Sequence, residues 1–509
     1  MIKSARKRRV RALELAVLSA LVGLAWFPAV ARAGTLTDDI QDLLDDADKR
    51  IEAAHVWKFQ IRPEVRTSVI WTDNVFLNDE DEEPFRLVAI AGPGGLVKDP
   101  VKLRNAQRSV SDFRKVASRG VVGDYILRSE VGIGLELPVN PDYTKLFDRE
   151  SLQVLSARVR HHEYADENSL DNTDYSLSTD IFGVLSDLLS WKEGNAFWVR
   201  AAADYSRLEE PLDTDIVELQ QIGIRSVNFR HFERVESSVR ADAGYDRNRL
   251  DASIGGEWYR MRLEDQELRQ GEYDRTNVHA LAGYDLPWFQ DKHVYARGDL
   301  DMFRPSDRAV GGTAQALNDG DRLRVVAGVD GNVFSKKVAG RLEAGYMAWD
   351  PDRGSGLSGD TSRFNSPVGK AELAYQPWSE RKTTFQLAYE RTAEASAISN
   401  FNSIHRGTLS VRHPIQPGKL DGDMSFGVTT TRASEGPDSK LFDFGVGVTY
   451  HWFKQVDVTL RYALRINHSD HEIEIQSSFV RGGREFIYVS RSNGDFTQNV
   501  LELGLDIGF

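Results

Sequence analysis

From Trp57 to the end of the chain, apolar and polar residues alternate at period 2, the spacing of strands whose two faces meet different surroundings. In the first such segment Trp57, Phe59, Ile61, Val65, Val69 and Trp71 fall on one face, and Lys58, Gln60, Arg62, Glu64, Arg66 and Ser68 on the other. Leu155, Ala157 and Val159 likewise oppose Arg158 and Arg160, and Phe197, Val199, Ala201, Ala203 and Tyr205 oppose Arg200, Ala202 and Asp204. Toward the end Phe442, Phe444, Val446, Val448 and Tyr450 oppose Asp443, Gly445, Gly447 and Thr449, and Val456, Val458, Leu460 and Tyr462 oppose Asp457, Thr459 and Arg461. Alternation this sustained predicts an all-β chain.

The links between these segments alternate in length. Trp191–Asn195, Pro287–Asp291, Pro377–Arg381, Pro414–Gly418 and Trp452–Gln455 are short, and several carry a Trp. Residues 77–121, Glu209–Gln221, Arg304–Gly320, Asp350–Asn365, Arg432–Lys440 and residues 466–495 are long and polar. Counting between them predicts an antiparallel up-and-down barrel of about 18 strands, with 16 as the alternative, and an even number returns both ends of the chain to one side. Ile222–Asp246 reads as one long strand, with a hairpin as the alternative. A two-sheet sandwich or a propeller would close the charged faces into a dry core, where each unpaired charge costs several kcal/mol. A water-filled lumen removes that cost, so the barrel is predicted to span a membrane, apolar face toward lipid.

The front of the chain differs. Lys3, Arg6, Lys7, Arg8, Arg9 and Arg11 precede an apolar stretch from Leu15 to Val30, and Ala31-Arg32-Ala33 offers a small-x-small cleavage site. Residues 1–33 therefore read as a secretory signal peptide. Its removal takes away seven basic residues and Glu14, moving the formal net charge from −13 to about −19 and making nucleic acid a poor partner. The chain has no cysteine, which excludes a lipid-attachment cysteine, disulfides and thiol chemistry. Residues 34–56 read as a periplasmic amphipathic helix: Ile40, Leu43, Leu44, Ala47, Ile51 and Ala54 recur at helical spacing behind Thr37, Asp38 and Asp39. It serves either as a lead-in on the barrel rim or as a plug or docking segment. The barrel takes residues 57–509.

The last strand puts Leu501, Leu503, Leu505, Ile507 and Phe509 on one face and Glu502, Gly504, Asp506 and Gly508 on the other. It resembles the terminal strand of bacterial outer-membrane barrels, and Glu502, Gly504, Ile507 and Phe509 match their assembly signal. With Trp71-Thr-Asp-Asn-Val-Phe76, with Tyr164 followed by Asp171-Asn172, and with Tyr488-Val-Ser-Arg-Ser-Asn493, nearly the whole mature chain resembles a family of uncharacterised outer-membrane β-barrel porins associated with exopolysaccharide gene clusters. The resemblance implies an outer-membrane exit pore for a secreted polysaccharide, with both termini periplasmic. It further implies outer-membrane lipids and lipopolysaccharide, the barrel assembly machinery and a periplasmic export component as partners. A diffusion porin, and a structural or adhesive barrel acting through its loops, are the alternatives. Asp73-Asn74 and Asp171-Asn172 are read as turn chemistry rather than as a site.

The alternation assigns Lys58, Arg62, Glu64, Arg66, Arg158, Arg160, Arg200, Asp204, Arg240, Asp242, Arg297, Asp299, Asp301, Asp457, Arg461, Glu502 and Asp506 to the lumen. Rings of one sign select ions, whereas interleaved Arg and Asp can pair along the wall and offer hydrogen bonds to hydroxyl-rich or uronic-acid chains. Arg62, Arg66, Arg158 and Arg160 are the candidates for contact with an anionic sugar, and wall salt bridges without a ligand are the equal alternative. No metal and no cofactor is predicted. The acidic run Asn78–Glu83 lacks the Gly and spacing of a calcium loop, and His468-Ser-Asp-His-Glu472 lacks zinc-protease spacing. His161 and His162 sit near the outer end of the third strand, but no catalytic motif accompanies them, and no enzymatic activity is predicted.

Overall fold

A computed structural model of the chain describes residues 55–56, 59–74, 83–92, 95–97, 123–138, 151–166, 171–184, 196–208, 233–247, 249–263, 272–286, 292–305, 320–333, 335–351, 363–378, 382–395, 401–434, 438–469, 473–481, 484–492 and 495–508. Its strands in the first half are β1 (His55–Val56), β2 (Phe59–Thr72), β3 (Glu83–Gly92), β4 (Gly95–Val97), β5 (Asp124–Pro138), β6 (Ser151–Tyr164), β7 (Asn172–Val184), β8 (Ala196–Leu208), β9 (Arg234–Arg247), β10 (Leu250–Leu263), β11 (Tyr273–Asp285) and β12 (Lys292–Pro305). The second half adds β13 (Gly320–Asn332), β14 (Val338–Pro351), β15 (Phe364–Tyr375), β16 (Thr384–Ala395), β17 (Phe401–Gln416), β18 (Leu420–Ala433), β19 (Ser439–Phe453), β20 (Val456–Ser469), β21 (Ile473–Arg481), β22 (Arg484–Ser492) and β23 (Phe496–Gly508).

β2, β5 through β20 in chain order, and β23 form a closed antiparallel barrel of 18 strands. β23 pairs with both β20 and β2, and β2 also pairs with β5, so the wall has no first or last strand. β1 only extends this sheet by two residues against the start of β2. Strand number and topology follow the alternation; the residues beyond the walls do not all follow it. Residues 77–121 and 466–495, predicted as loops, contribute β3, β4, β21 and β22 to a separate four-stranded sheet. Ile473, Ile475, Phe486, Ile487 and Val489 are strand formers inside a polar stretch; β21 pairs with the neighbouring β22, and β22 pairs with β3 from the far end of the chain. β20 also runs on to Ser469, so Ile466–Ser469 belongs to the wall. β9 begins at Arg234, and the start of the predicted strand Ile222–Asp246 lies outside the described residues. So do the signal peptide, residues 34–54 of the predicted helix, Lys58 and Phe509; His55 and Val56, at the end of that helical segment, are strand.

The outward face is apolar. Val131, Ile254, Leu342, Leu387 and Leu460 are all half exposed or more, and each occupies the alternate position to a charged or small inward residue. Tight turns at Lys454–Gln455 and at Pro417–Lys419, where Gly418 takes φ 74°, lie at the end of the barrel where the chain enters β2 and leaves β23. The longest connections, 73–123, 209–233 and 470–495, lie at the other end.

Closure is fastened at that second end. Asp73, just past β2, accepts hydrogen bonds at its carboxylate from the Asn499 backbone at 2.6 Å and from Asn499 Nδ2 at 2.5 Å, and its own backbone N–H donates to Asn499 O. Asn74 Nδ2 donates to Thr497 O at 2.9 Å, and Gln498 Nε2 donates to Asn74 O at 3.0 Å. Asp-Asn here is thus more than turn chemistry: it joins the first barrel strand to the last.

One wall segment departs from regular pairing. The β15–β16 ladder stops at Gly369 opposite Arg391, although β14–β15 continues to Phe364 and β16–β17 continues to Ala395. Ala393 shares a face with the outward Leu387 and Tyr389, yet it is fully buried against the inward side chains Val326, Met347, Trp349, Phe364 and Val368. Arg322, inward on β13, donates to Ala393 O at 2.7 Å, and Phe401 meets Phe364 edge-on at 5.2 Å. The end of the β16–β17 pair therefore tucks behind β14–β15, inside the wall. Pro367, which has no N–H to give, lies on the stretch of β15 left without a β16 partner, where a proline suits an edge.

Replacing Asp73 with Ala removes two side-chain hydrogen bonds from the closing seam and is expected to destabilise the barrel by about 1–3 kcal/mol. The check is the temperature at which the folded band converts to the unfolded one on unheated-versus-heated SDS gels; an unchanged conversion temperature would contradict the clamp.

Candidate pore lining

The inward face of the barrel is a wall of paired charges. The register places every lumen residue predicted from sequence on the face opposite the apolar one, apart from Lys58, which lies outside the described residues. The arginines singled out as sugar contacts are all engaged. Arg160 Nε donates to Glu130 Oε2 at 2.8 Å, and Arg158 lies 3.9 Å from Glu130 and 3.4 Å from Glu64. Arg62 sits 3.4 Å from Glu136, and Arg66 pairs with Asp506 across the closing seam. Glu130, only 6% exposed, is the hub, and the Arg158 and Arg160 side chains around it keep 42% and 27% of their surface open to water.

The pairing continues around the circumference. Arg200 pairs with Asp180, Arg240 with Asp242 at 2.6 Å, Arg297 with Asp299 at 2.7 Å and Arg324 with Glu343 at 3.2 Å. Asp204 accepts from Ser238 Oγ at 3.2 Å, Asp457 meets His451 at 2.7 Å, and Glu502 lies 3.9 Å from Arg128. Arg461 stands directly across from Glu502 in the β20–β23 ladder. Asp301 takes Arg322 at 2.6 Å and Asn277 Nδ2 at 3.0 Å, with Arg275 at 4.0 Å.

Glycines allow pairs to form across an intervening strand, as at Gly255 and Gly328. Asp242 on β9, Gly255 on β10 and His279 on β11 lie in one row, and His279 Nε2 meets Asp242 Oδ1 at 2.8 Å above Gly255. A Cβ at Gly255 would collide with both side chains. Tyr295, Gly328 and Glu343 repeat the device on β12, β13 and β14, with the tyrosine hydroxyl donating to Glu343 at 2.6 Å. Each bridge ties next-nearest strands together, stiffening the wall beyond its backbone ladder. Neither bridge was predicted, because the glycine and its two partners lie on three different strands.

Toward the long-connection end the inward side chains become buried. Ile70, Thr72 and Asn74 on one side, and Phe303, Trp349, Phe364 and Ile404 on the other, are at most 7% exposed, whereas Arg66 near the opposite end is more than half exposed. Part of this buried region is aromatic: Tyr259 to Tyr273, Tyr273 to Phe303 and Phe303 to Trp349 follow at ring-centroid spacings of 5.6, 4.5 and 6.3 Å. Arg275 lies over Tyr259 and Arg322 over Trp349. Sequence reading missed this arc, although each ring occupies an inward position of its strand.

The two histidines weighed for catalysis have ordinary partners. His161 faces outward and bonds Thr173 Oγ1 at 2.9 Å. His162 is buried in the lumen wall, where Nε2 accepts from Arg128 Nε at 3.0 Å, so Nδ1 carries the proton given to Asn172 Oδ1 at 2.8 Å. This chain of contacts joins the Asp171-Asn172 corner to β5, and Asp171 itself accepts from the Tyr164 backbone at 2.7 Å. Among the described residues no group of three or more His, Asp or Glu side chains could hold a metal ion. Asn78–Glu82 and Asp470–Glu472 of the two acidic and histidine-containing runs lie outside the described residues.

The described residues define a closed β-barrel with an apolar outside and a charge-paired inside. No protein-family profile matches the chain, and no curated protein matches it. Among solved structures the chain is similar to Pseudomonas aeruginosa OpdK crystallised with vanillate, at a TM-score of 0.42 and 8% identity over 88% of this chain and 99% of that one. It is similar also to Acinetobacter baumannii OccAB4, at 0.38 and 9% over 88% and 98%, and to the Neisseria meningitidis FrpB iron transporter, at 0.38 and 8% over 88% and 82%.

Changing Glu130 to Gln removes the negative charge that Arg158 and Arg160 share and is expected to shift the ion preference of a conducting barrel toward anions. Reversal potentials across a salt gradient read this directly; a value equal to the wild type would mean that the Glu130 cluster lies off the permeation path.

Proposed function

We propose that this chain is a pore of the Gram-negative outer membrane that passes hydroxyl-rich, sugar-like solutes. The observation that carries the reading is the opposition of the two faces of one closed wall. Apolar side chains half exposed around the whole circumference would form an aggregating surface in water, and lipid removes that cost. Strands of 12 to 16 residues exceed the ~9–11 that a tilted strand needs to cross a bilayer. On the inside, cations and carboxylates paired side by side give no net ring of one sign, so simple electrostatic ion selection is a poor account of the lumen. Paired guanidinium and carboxylate groups instead present many fixed hydrogen-bonding positions, and the Tyr259–Trp349 arc adds faces on which sugar rings can stack. In this reading the short turns and both termini lie in the periplasm, and the barrel assembly machinery recognises the last strand.

The resemblance of the sequence to exopolysaccharide-associated barrels extends the reading from solute to polymer: an exit path for a secreted polysaccharide, served by a periplasmic export component. A general diffusion porin is the second reading, favoured by the engagement of the candidate sugar-binding arginines with wall carboxylates.

Single-channel recording of the refolded mature protein, with and without residues 34–55, tests these readings. Currents interrupted by anionic or neutral oligosaccharides at millimolar concentration are expected. Steady currents indifferent to every sugar would replace the saccharide reading with the general porin, and silence of both forms would remove the pore.

A further inference from the structure

Three rows of the inward face carry a bridge over a glycine, and a fourth carries the parts of a bridge without the bond. At Gly255, Gly283 and Gly328 side chains from the two neighbouring strands meet across the glycine: Asp242 with His279 at 2.8 Å, Asp251 with His293 at 2.7 Å, and Tyr295 with Glu343 at 2.6 Å. The fourth row is Asp423 on β18, Gly447 on β19 and Arg461 on β20, which stand directly across from one another in two successive ladders. Here only the acid leans in. The three atoms nearest the place of a Gly447 Cβ all belong to the Asp423 carboxylate, at 2.6 to 3.1 Å. Among the described residues neither Asp423 nor Arg461 has an ion pair or a hydrogen-bonding side-chain partner, and Arg461 is exposed to the lumen.

The charges around this row are already matched. Asp421, the next inward position on β18, takes Arg412 at 2.9 Å, and Arg465, two inward positions beyond Arg461 on β20, lies 3.4 Å from Asp443. Glu502, across from Arg461 on β23, is 3.9 Å from Arg128. What remains is one acid and one base held apart over a bare floor. A carboxylate only accepts hydrogen bonds and a guanidinium only donates them. A pair of adjacent hydroxyls does both: one O–H donates to Asp423 while a neighbouring oxygen accepts from Arg461. A free anion at the same place would meet Asp423 as a like charge, and a free cation would meet Arg461, so the row suits a neutral group. Gly447 has no side chain to keep a ring off the wall, and the Thr449 and Thr459 hydroxyls, 3.3 Å apart, border the row on its short-turn side.

We propose that Asp423 and Arg461 form a lumen subsite for a neutral, hydroxyl-rich sugar ring, which lies over Gly447 with adjacent hydroxyls shared between the two side chains. The subsite rests on the saccharide reading of the pore and deepens it: it assigns the contact to a split acid and base on β18–β20, away from the arginines of β2 and β6 and from the aromatic arc.

Single-channel recording of the full mature protein tests it, with maltohexaose as the neutral oligosaccharide and oligogalacturonate as the anionic one. Maltohexaose is expected to interrupt the wild-type current, and Asp423→Asn and Arg461→Gln should each weaken that block about tenfold. Gly447→Ala, whose Cβ would meet the Asp423 carboxylate and raise the floor, should weaken it as well, whereas Leu460→Ala on the outward face of β20 should leave it unchanged. The heat-modifiable band and the conductance in salt alone verify that each variant folds and conducts. Block undiminished in both Asp423→Asn and Arg461→Gln would overturn the subsite and leave the saccharide pore standing. A tighter block by oligogalacturonate that depends on Arg461 alone would overturn it in favour of a simple anion site. Wild-type currents indifferent to both sugars would remove the saccharide reading itself, and the subsite with it.

Discussion

A free sheet edge leaves a row of backbone N–H and C=O groups unpaired, so closure is the constraint on which the rest of this architecture depends. The chain meets it by returning its last strand to its first. Nine register positions from Glu64–Gly508 to Thr72–Val500 complete the wall, and Asp73, Asn74, Gln498 and Asn499 lock its long-connection end. Once the wall is closed, alternation does the rest: every second residue is committed to the outside, and the charges that remain can only face a common interior. The β15–β16 junction is the informative exception. Where that ladder stops, Ala393 and Phe401 pack against the inner face of β13–β15, so apolar contact replaces missing backbone pairing.

Much of this was legible in the sequence, because alternation is a local property. A strand such as β19 states its own two faces, and 18 such strands with links of alternating length leave few architectures open. The inward face of the residues from Arg62 to Asp506 was readable for the same reason. What was not legible depends on residues brought together from distant strands. The four-stranded sheet joins segments from opposite ends of the chain, and its strands read as loop because each is short and set in polar sequence. The seam clamp couples Asp73 to Asn499, a contact that turn chemistry alone cannot suggest. The bridges over Gly255 and Gly328 require three strands in register, and the inward tuck of Ala393 reverses the face that alternation assigns to it.

The candidate site shows the same limit more sharply. Sequence placed Arg62, Arg66, Arg158 and Arg160 on the lumen face, but the face does not state whether a cation is free for a ligand or bound to a neighbour. The distances put each beside a carboxylate, and that shifts the weight of recognition from single cations to the paired surface and the aromatic arc.

The absence of any native cysteine makes the central claim, lipid outside and water inside, open to a clean measurement. Single cysteines placed in turn along β14 from Arg341 to Met347 in the protein reconstituted into vesicles, and exposed to a small membrane-impermeant maleimide, report water at each position. The account predicts labelling at 341 and 343 and protection at 342, 344 and 346, with 347 also protected because it sits in the buried cluster around Ala393. Uniform labelling, or labelling that follows a helical period, would contradict it.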